Sequence, residues 1–488
     1  MLPLSTDSTG KLRICPICAE EMESLICVKD NSKTFDSKSV AGRFISLRSK
    51  YGLPSTSELI KSSKFGYDLR IDFNGIKDKM AFEHDVKTYI QALVEVSKPR
   101  VLVFSRDHRE SGELLEHAFT EFAKESGLEY GVIYGSIPTT PSYFAGASIA
   151  YQTKKQVLSL QATASHNPPN YNGIKAMVGK FTHKIFPKQV EFSEQMDSNE
   201  ILNDYILWCT RFNSYGDEIT FDLNNGVGSA IIPKLAERLY PKANLLNSEL
   251  LTDFGGKAPE PSWFVRWTGL GVAFDGDADR APFYVNSKMI FFSRFLSGMI
   301  KEGLVKEKKV VIDQRTAPSM VDFLKGHGVK VILGDIGRTN QAELANHHNA
   351  LWFEENWHTG GYPVNGMRFA WDDAIYATCF WFDKLTVPIS QVLSDVPDFE
   401  YTEEKFKTDA GFNSRILEVL ESRAMDYSVL PSGGARVGDE TGHILMRESN
   451  TEMGTVKLFA TGLDKDALKA KLKLGRELIG VVKRKGTN

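Results

Sequence analysis

Cysteines are few in this chain and long apolar runs are absent, and each shortage removes a class of protein. The five cysteines, Cys15, Cys18, Cys27, Cys209 and Cys379, are an odd number in 488 residues, which argues against the disulfide framework of small secreted domains. No stretch approaches the roughly 18 consecutive apolar residues that would span a bilayer. The opening MLPLSTDSTGKLR also lacks the apolar stretch of a secretory signal, so a cytoplasmic protein without membrane partners is expected. Charge of one sign is lacking too: 59 Lys and Arg against 62 Asp and Glu give a net charge of -3. The signs are interspersed, so the basic face of a nucleic-acid binder is not expected. A few local cations can still hold a phosphate in a neutral protein.

What remains is an ordinary globular composition, 42% hydrophobic and 25% charged, on a chain long enough for about three or four domains. Residues 1–60, rich in Ser, Lys and Thr, read as an extension of uncertain structure. Within it, Cys15-Pro-Ile-Cys18 has the spacing of half a zinc site, with Cys27 as a third ligand and Asp30 or His84 as a fourth; unligated thiols are the alternative.

From about residue 65, short apolar runs alternate with helical segments. Val101–Phe104 precedes a helix at 111–126, then a strand at 131–134, a Pro-rich turn at 138–141 and a strand at 157–161. Strand 219–222 precedes the turn Asn224-Asn225-Gly226 and a helix near 228–240, and strand 309–313 precedes a helix near 317–326 and a strand at 329–333. This alternation indicates α/β layering with largely parallel strands. From about 399 a helix, three short strands and a closing helix read as a smaller α+β domain. The expected architecture is therefore α/β: three consecutive α/β domains with mixed, mostly parallel sheets (61–200, 201–298 and 299–398), then an α+β domain at 399–488.

Two strings carry chemistry. Thr-Ala-Ser-His-Asn-Pro-Pro-Asn-Tyr-Asn-Gly-Ile-Lys, 163–175, follows a buried-type strand, and its prolines, asparagines and glycine demand a loop of fixed path. Ser165 is a weak nucleophile unless activated, and His166 and Lys175 are the candidate bases or cations beside it. An incidental serine in a structural turn is the plainer reading. The second string is Gly-Val-Ala-Phe-Asp-Gly-Asp-Ala-Asp-Arg, 271–280. In an extended loop, Asp275, Asp277 and Asp279 turn their carboxylates to one side, and such a trio calls for a cation, Mg²⁺ or Ca²⁺. An EF-hand fails on spacing, with Arg280 where Gly is needed and Asn286 where Glu is needed. An aspartyl phosphatase with Asp275 as nucleophile, and a solvated acidic turn, stay open on this segment alone.

Together the strings resemble the active-site signatures of the α-D-phosphohexomutase superfamily of phosphoglucomutases, phosphomannomutases and phosphoglucosamine mutases. The first matches at Thr163 through Pro168 and at Asn172, Gly173 and Lys175. The resemblance implies that Ser165 is phosphorylated in the resting enzyme. It further implies that Mg²⁺ is held by Asp275, Asp277, Asp279 and the Ser165 phosphate, with Arg280 over the transferring group. Glu354, Asn356 and His358 occupy the family's Glu-x-Ser-Gly-His sugar loop, but Asn356 replaces its serine and Trp357 its glycine, which adds bulk and leaves the sugar open. Asp372-Asp373-Ala374-Ile375-Tyr376 resembles the segment that closes the same unit. Arg447, Ser449, Asn450 and Thr451 resemble the distal-phosphate loop. Weaker matches place Arg70 and Arg338 at the substrate and give Ser105-Arg106-Asp107-His108-Arg109 a structural role. His347 and His348 read as solvent-facing helix residues.

The implied activity interconverts hexose 1-phosphate and hexose 6-phosphate, glucose or mannose, through a hexose 1,6-bisphosphate. It needs a central cleft touched by all four domains, with small-molecule sugar phosphates as the only partners of a monomer or small homo-oligomer. A phosphoglucosamine mutase, and a catalytically weak sugar-phosphate-binding paralogue with a regulatory role, are the alternatives.

Overall fold

Alternating strand and helix segments close into four sheets. The computed structural model describes residues 37–51, 63–65, 69–179, 190–262, 265–364, 367–408, 411–430, 433–449 and 454–486. Cys15, Cys18 and Cys27, and with them the zinc reading, lie outside the described residues, as do Asn450 and Thr451.

The first sheet has seven strands. Val157–Ala162, Val101–Arg106, Glu129–Ser136 and Gln195–Asp197 run parallel, and Tyr171–Gly179, Leu69–Asp72 and Ser63–Phe65 continue the sheet antiparallel. The second has five: Ala243–Leu246, Ile219–Asp222 and Leu270–Ala273 are parallel, then Phe283–Val285 and Lys288–Met289 antiparallel. The third repeats the plan, with Lys330–Gly334, Lys309–Asp313 and Leu351–Phe353 parallel and Thr359–Val364 and Met367–Asp372 antiparallel. The fourth, from Glu400–Lys407 to Ser428–Val429, is antiparallel throughout and backed by the helices Phe412–Ser422 and Lys465–Gly486.

In each of the first three sheets one innermost parallel strand turns directly into an antiparallel neighbour. The connecting loops are the serine loop after Ala162, the acidic loop after Ala273 and the loop expected to bind sugar, after Phe353. The repeated topology thus brings all three chemical strings to the carboxyl ends of parallel strands, where α/β sheets bind ligands.

One apolar core runs without a break from Val101 in the first sheet through Phe283 in the second to Trp381 on the third. The fourth sheet has its own core, from Phe412 to Val482. Three units therefore form one block and the fourth is a separate body beside it.

One expectation changes, and part of one open reading is filled in. The supposed Pro-rich turn begins a helix, Thr139–Thr153. Pro141 lies in its first turn, where a missing N–H would have no helical partner anyway. Part of the extension is well packed: helix Ser37–Lys50 buries Val40, Phe44 and Leu47 against helix Lys79–Ser97, and Arg48 pairs with buried Asp85.

Candidate active site

Ser165 lies in the left-handed backbone region, at φ 54°, which a non-glycine residue adopts only where its surroundings over-determine it. Here Arg109 does so. Fully buried, it donates to the carbonyls of Ser165, Asn167, Pro168 and Tyr171 at 2.7–2.9 Å and is steadied by Asp107 at 3.1 Å. The segment read as structural is thus the bracket that sets the serine loop's path.

The acidic loop abuts it. A Cβ on Gly276 would lie 2.5 Å from Ser165 O, so only glycine lets the two loops approach this closely. Ser165 Oγ donates to Asp275 Oδ2 at 2.9 Å. Asp275 Oδ1 accepts from the backbone N–H groups of Asp279 and Arg280, both at 3.1 Å, and Arg280 Nε donates to Oδ2 at 2.9 Å. Burial pushes Asp275 up to about 6 against the pull of Arg280. Asp277 Oδ2 accepts from Thr139 Oγ1 at 2.5 Å and Lys175 Nζ at 2.7 Å, and Lys175 also pairs with Asp279. Thr139, at the start of the unexpected helix, is a contact that sequence reasoning missed.

Can these residues hold a metal? One carboxylate oxygen from each aspartate lies within 4.8 Å of the others, and Asp277 Oδ1 and Asp279 Oδ1 are buried without a hydrogen-bond partner. Buried carboxylate oxygens without donors are strongly unfavourable, and an all-oxygen donor set suits a hard divalent cation. The site fits Mg²⁺.

His166 Nδ1 lies 3.2 Å from Ser165 Oγ and contacts Arg280. Desolvation and the Arg280 charge hold the imidazole well below its ordinary range. Arg280 Nη2 reaches Ser165 Oγ at 3.4 Å. Arg70 is buried on strand Leu69–Asp72 and donates to Leu69 O at 3.2 Å.

Opposite lie the sugar-loop groups. Glu354 pairs with Arg315 at 3.0 Å and accepts from Gly337 N at 2.6 Å. Arg315, on the turn after strand Lys309–Asp313, was not foreseen. Its signal is Asp313-Gln314-Arg315 at the carboxyl end of a parallel strand. His358 Nδ1 lies 3.0 Å from Asp372 Oδ2 and 3.9 Å from Asp279 Oδ1. Burial opposes its protonated form, but those two carboxylates outweigh burial and raise it. Arg338 lies 3.3 Å from Asp372 Oδ1.

One cleft of about 630 Å³ is bordered by Arg70, Ser165, His166 and Lys175 from the first unit and Arg280 from the second, while the three aspartates are fully buried and do not line it. Arg315, Arg338, Glu354, Asn356 and His358 come from the third unit, and Lys405, Arg447, Ser449 and Lys457 from the fourth. Lys405 and Lys457, cross-strand neighbours, were not singled out in the sequence. Trp357 is not in the wall of this cleft: its indole is buried among Phe283, Phe292 and Phe295. The expected added bulk therefore lies outside the cleft.

Residues 66–191 match the family described as phosphoglucomutase/phosphomannomutase, alpha/beta/alpha domain I. A probable phosphoglucosamine mutase of Pyrococcus furiosus is 27% identical over 418 residues, covering 77% of this chain and 89% of its own. A phosphoglucomutase/phosphomannomutase family protein of Burkholderia thailandensis has the same fold, with a TM-score of 0.71 at 20% identity, over 88% of this chain and 98% of its own. An N-acetylphosphoglucosamine mutase of Aspergillus fumigatus, solved with GlcNAc-6P and magnesium, aligns with a TM-score of 0.56 at 14% identity over 85% and 86%. With the serine and acidic loops in contact beside a four-sided cleft, residues 66–191 match the domain I family, and most of the chain is similar in sequence to phosphoglucosamine mutases and phosphoglucomutase/phosphomannomutases and in fold to solved phosphohexomutases.

Proposed function

We propose that the protein interconverts hexose 1-phosphate and hexose 6-phosphate, with glucose and mannose as its sugars, through a phosphoserine at Ser165 and a hexose 1,6-bisphosphate. The observation that carries this reading is Ser165 Oγ, 2.9 Å from Asp275, on the wall of a cleft that the fourth unit closes with Arg447 and Ser449.

Phosphorylated Ser165 gives its phosphoryl group to the free hydroxyl of the bound sugar phosphate: the bond to Oγ breaks as the bond to the sugar oxygen forms. Arg280 faces the charge on the transferring oxygens. His166, whose imidazole is kept neutral by burial and the Arg280 charge, takes the proton of the attacking hydroxyl, and Lys175, paired with Asp277 and Asp279, serves as a cation beside the reacting group. Glu354 and His358 grip sugar hydroxyls, with Asn356 able both to donate and to accept. Arg447 and Ser449 hold the phosphate that is not reacting. After the bisphosphate turns around, its other phosphate returns to Ser165. Mg²⁺ held by Asp275, Asp277, Asp279 and the Ser165 phosphate would supply positive charge to a dianionic phosphoester that the carboxylates otherwise repel.

Intact-mass analysis of purified protein should find one phosphate, mapped to Ser165, and Ser165→Ala should lose at least about three orders of magnitude in rate. A full-rate Ser165→Ala enzyme would sink the reading. A mutase for glucosamine phosphate is the second reading, favoured by the Pyrococcus furiosus relative. Relative turnover of glucose, mannose and glucosamine 1-phosphates decides between them.

A further inference from the structure

The sugar loop presents Glu354, Asn356 and His358 to the cleft but sends Trp357 the other way, to 1% exposure. The indole stacks on Phe283, with centroids 4.3 Å apart and planes at 16°, and meets Phe292 and Phe295 at 4.7 and 5.4 Å. Its Nε1 donates to Ile290 O at 2.7 Å. Phe283 opens the strand that leaves the acidic loop, three residues past Arg280, and stacks in turn on Phe382 at 5.0 Å. Phe292 and Phe295 lie on helix Phe292–Lys301, and Phe382 on helix Ala374–Lys384. Phe292 stacks on Phe353, the last residue of the strand that enters the sugar loop. One side chain thus fastens the sugar loop to the strand that follows the acidic loop.

The backbone makes this placement informative. Trp357 has φ 68°, a left-handed conformation that a bulky residue adopts only at a cost. The turn itself is closed by main-chain bonds, Trp357 N to Glu354 O at 2.9 Å and Glu354 N to His358 O at 2.7 Å. Glycine would make the same turn without strain, and glycine is what the resembling sugar loop carries at this position. The turn does not need an indole; the packing beneath it does.

We propose that Trp357 is a positioning residue: it sets how far the sugar-gripping groups Glu354, Asn356 and His358 stand from Ser165 and Arg280, by pinning the second and third units together through Phe283. This rests on the phosphohexomutase reading. Reaction rates fall steeply when substrate-holding groups shift by about 1 Å, so a loosened pin should show in the kinetics of correctly folded molecules.

Trp357→Gly keeps the turn and removes the pin. Competent sites are counted by the phosphate that Ser165 takes from labelled glucose 1,6-bisphosphate, so that unfolded protein does not enter the rate. Per competent site, kcat/KM for glucose 1-phosphate should fall at least about tenfold, mainly through KM. Trp357→Phe, which keeps a stacked ring, should recover most of the loss. Phe283→Leu, on the other partner of the stack, should raise KM likewise, and the Trp357→Phe/Phe283→Leu double variant should depart from additivity. If Trp357→Gly does not accumulate, the Phe283→Leu variant and the double variant decide. A merely structural Trp357 would lower the melting temperature but leave kcat and KM per competent site within about twofold of wild type, and that result overturns the inference alone. A wild-type protein with neither phosphoserine nor turnover overturns the functional reading, and this inference with it.

Discussion

At the scale of single residues, the site is built from groups that would be unfavourable anywhere else. Ser165 holds a left-handed backbone because Arg109 ties down four carbonyls around it, and three aspartates are buried together with two oxygens lacking donors. Lys175 spans Asp277 and Asp279, offsetting part of a repulsion that at an effective dielectric of about 20 reaches roughly 4 kcal/mol for two charges 4 Å apart. Saturating Mg²⁺ should therefore stabilise the folded chain by about 1–3 kcal/mol, since the trio assembles only when folded. Thermal unfolding followed with and without added MgCl2, against EDTA, checks it; Asp279→Asn should abolish the rise. An equal rise in that variant would place the cation elsewhere. The trio itself was legible in the sequence, because i, i+2, i+4 spacing constrains three carboxylates locally. Arg109 as a bracket and Thr139 as a hydrogen-bond donor to Asp277 were not, because each depends on contacts between segments dozens of residues or more apart.

Elements explain why the loops meet. Each of three sheets turns from a parallel strand to an antiparallel one at its chemical loop, and the strand–helix alternation behind that plan was readable from periodicity. Helix Thr139–Thr153 escaped because its Thr-Thr-Pro-Ser start looks like a turn, and helix Ser37–Lys50 because only Val40, Phe44 and Leu47 mark its buried side. Asp373 shows what an element boundary can store. It caps helix Ala374–Lys384 by accepting from Tyr376 N at 2.9 Å, and it accepts from buried Tyr205 Oη at 2.6 Å. Burial pushes its carboxyl up to about 7. The folded chain thus binds this proton more tightly than the unfolded one, whose aspartates titrate near the ordinary value of about 3.9. Its contribution to stability is complete below that value and is lost as pH rises towards 7. Asp373→Asn, which cannot ionise, should gain on the wild type by on the order of 2 kcal/mol between pH 5 and pH 8. Denaturant midpoints of both proteins at the two pH values test this. Parallel curves would assign the proton elsewhere.

The whole molecule divides into a three-unit block with a continuous core and a fourth body with its own. A four-part order was legible from the change of pattern near residue 399. The shared core was not, since periodicity reports which face of an element is buried and not what covers it. In the proposed reaction the fourth body would hold one phosphate while the block does chemistry on the other. Arg447 stands on the wall supplied by the fourth body and Ser165 on that of the block, so the two should be separable by kinetics. A charged hydrogen bond is worth roughly 1.5–3 kcal/mol, and Arg447→Met should accordingly cut mutase kcat/KM by roughly tenfold to a hundredfold. The slow hydrolysis of phosphorylated Ser165 by water involves no distal phosphate and should stay within about twofold of wild type, because binding energy from a remote group is not used there. Loss of labelled phosphate from the enzyme in the absence of sugar gives that rate directly. If it fell in step with mutase activity, Arg447 would be acting on the reacting phosphoryl group, and the fourth body would be part of the chemical centre instead of the clamp at its far end.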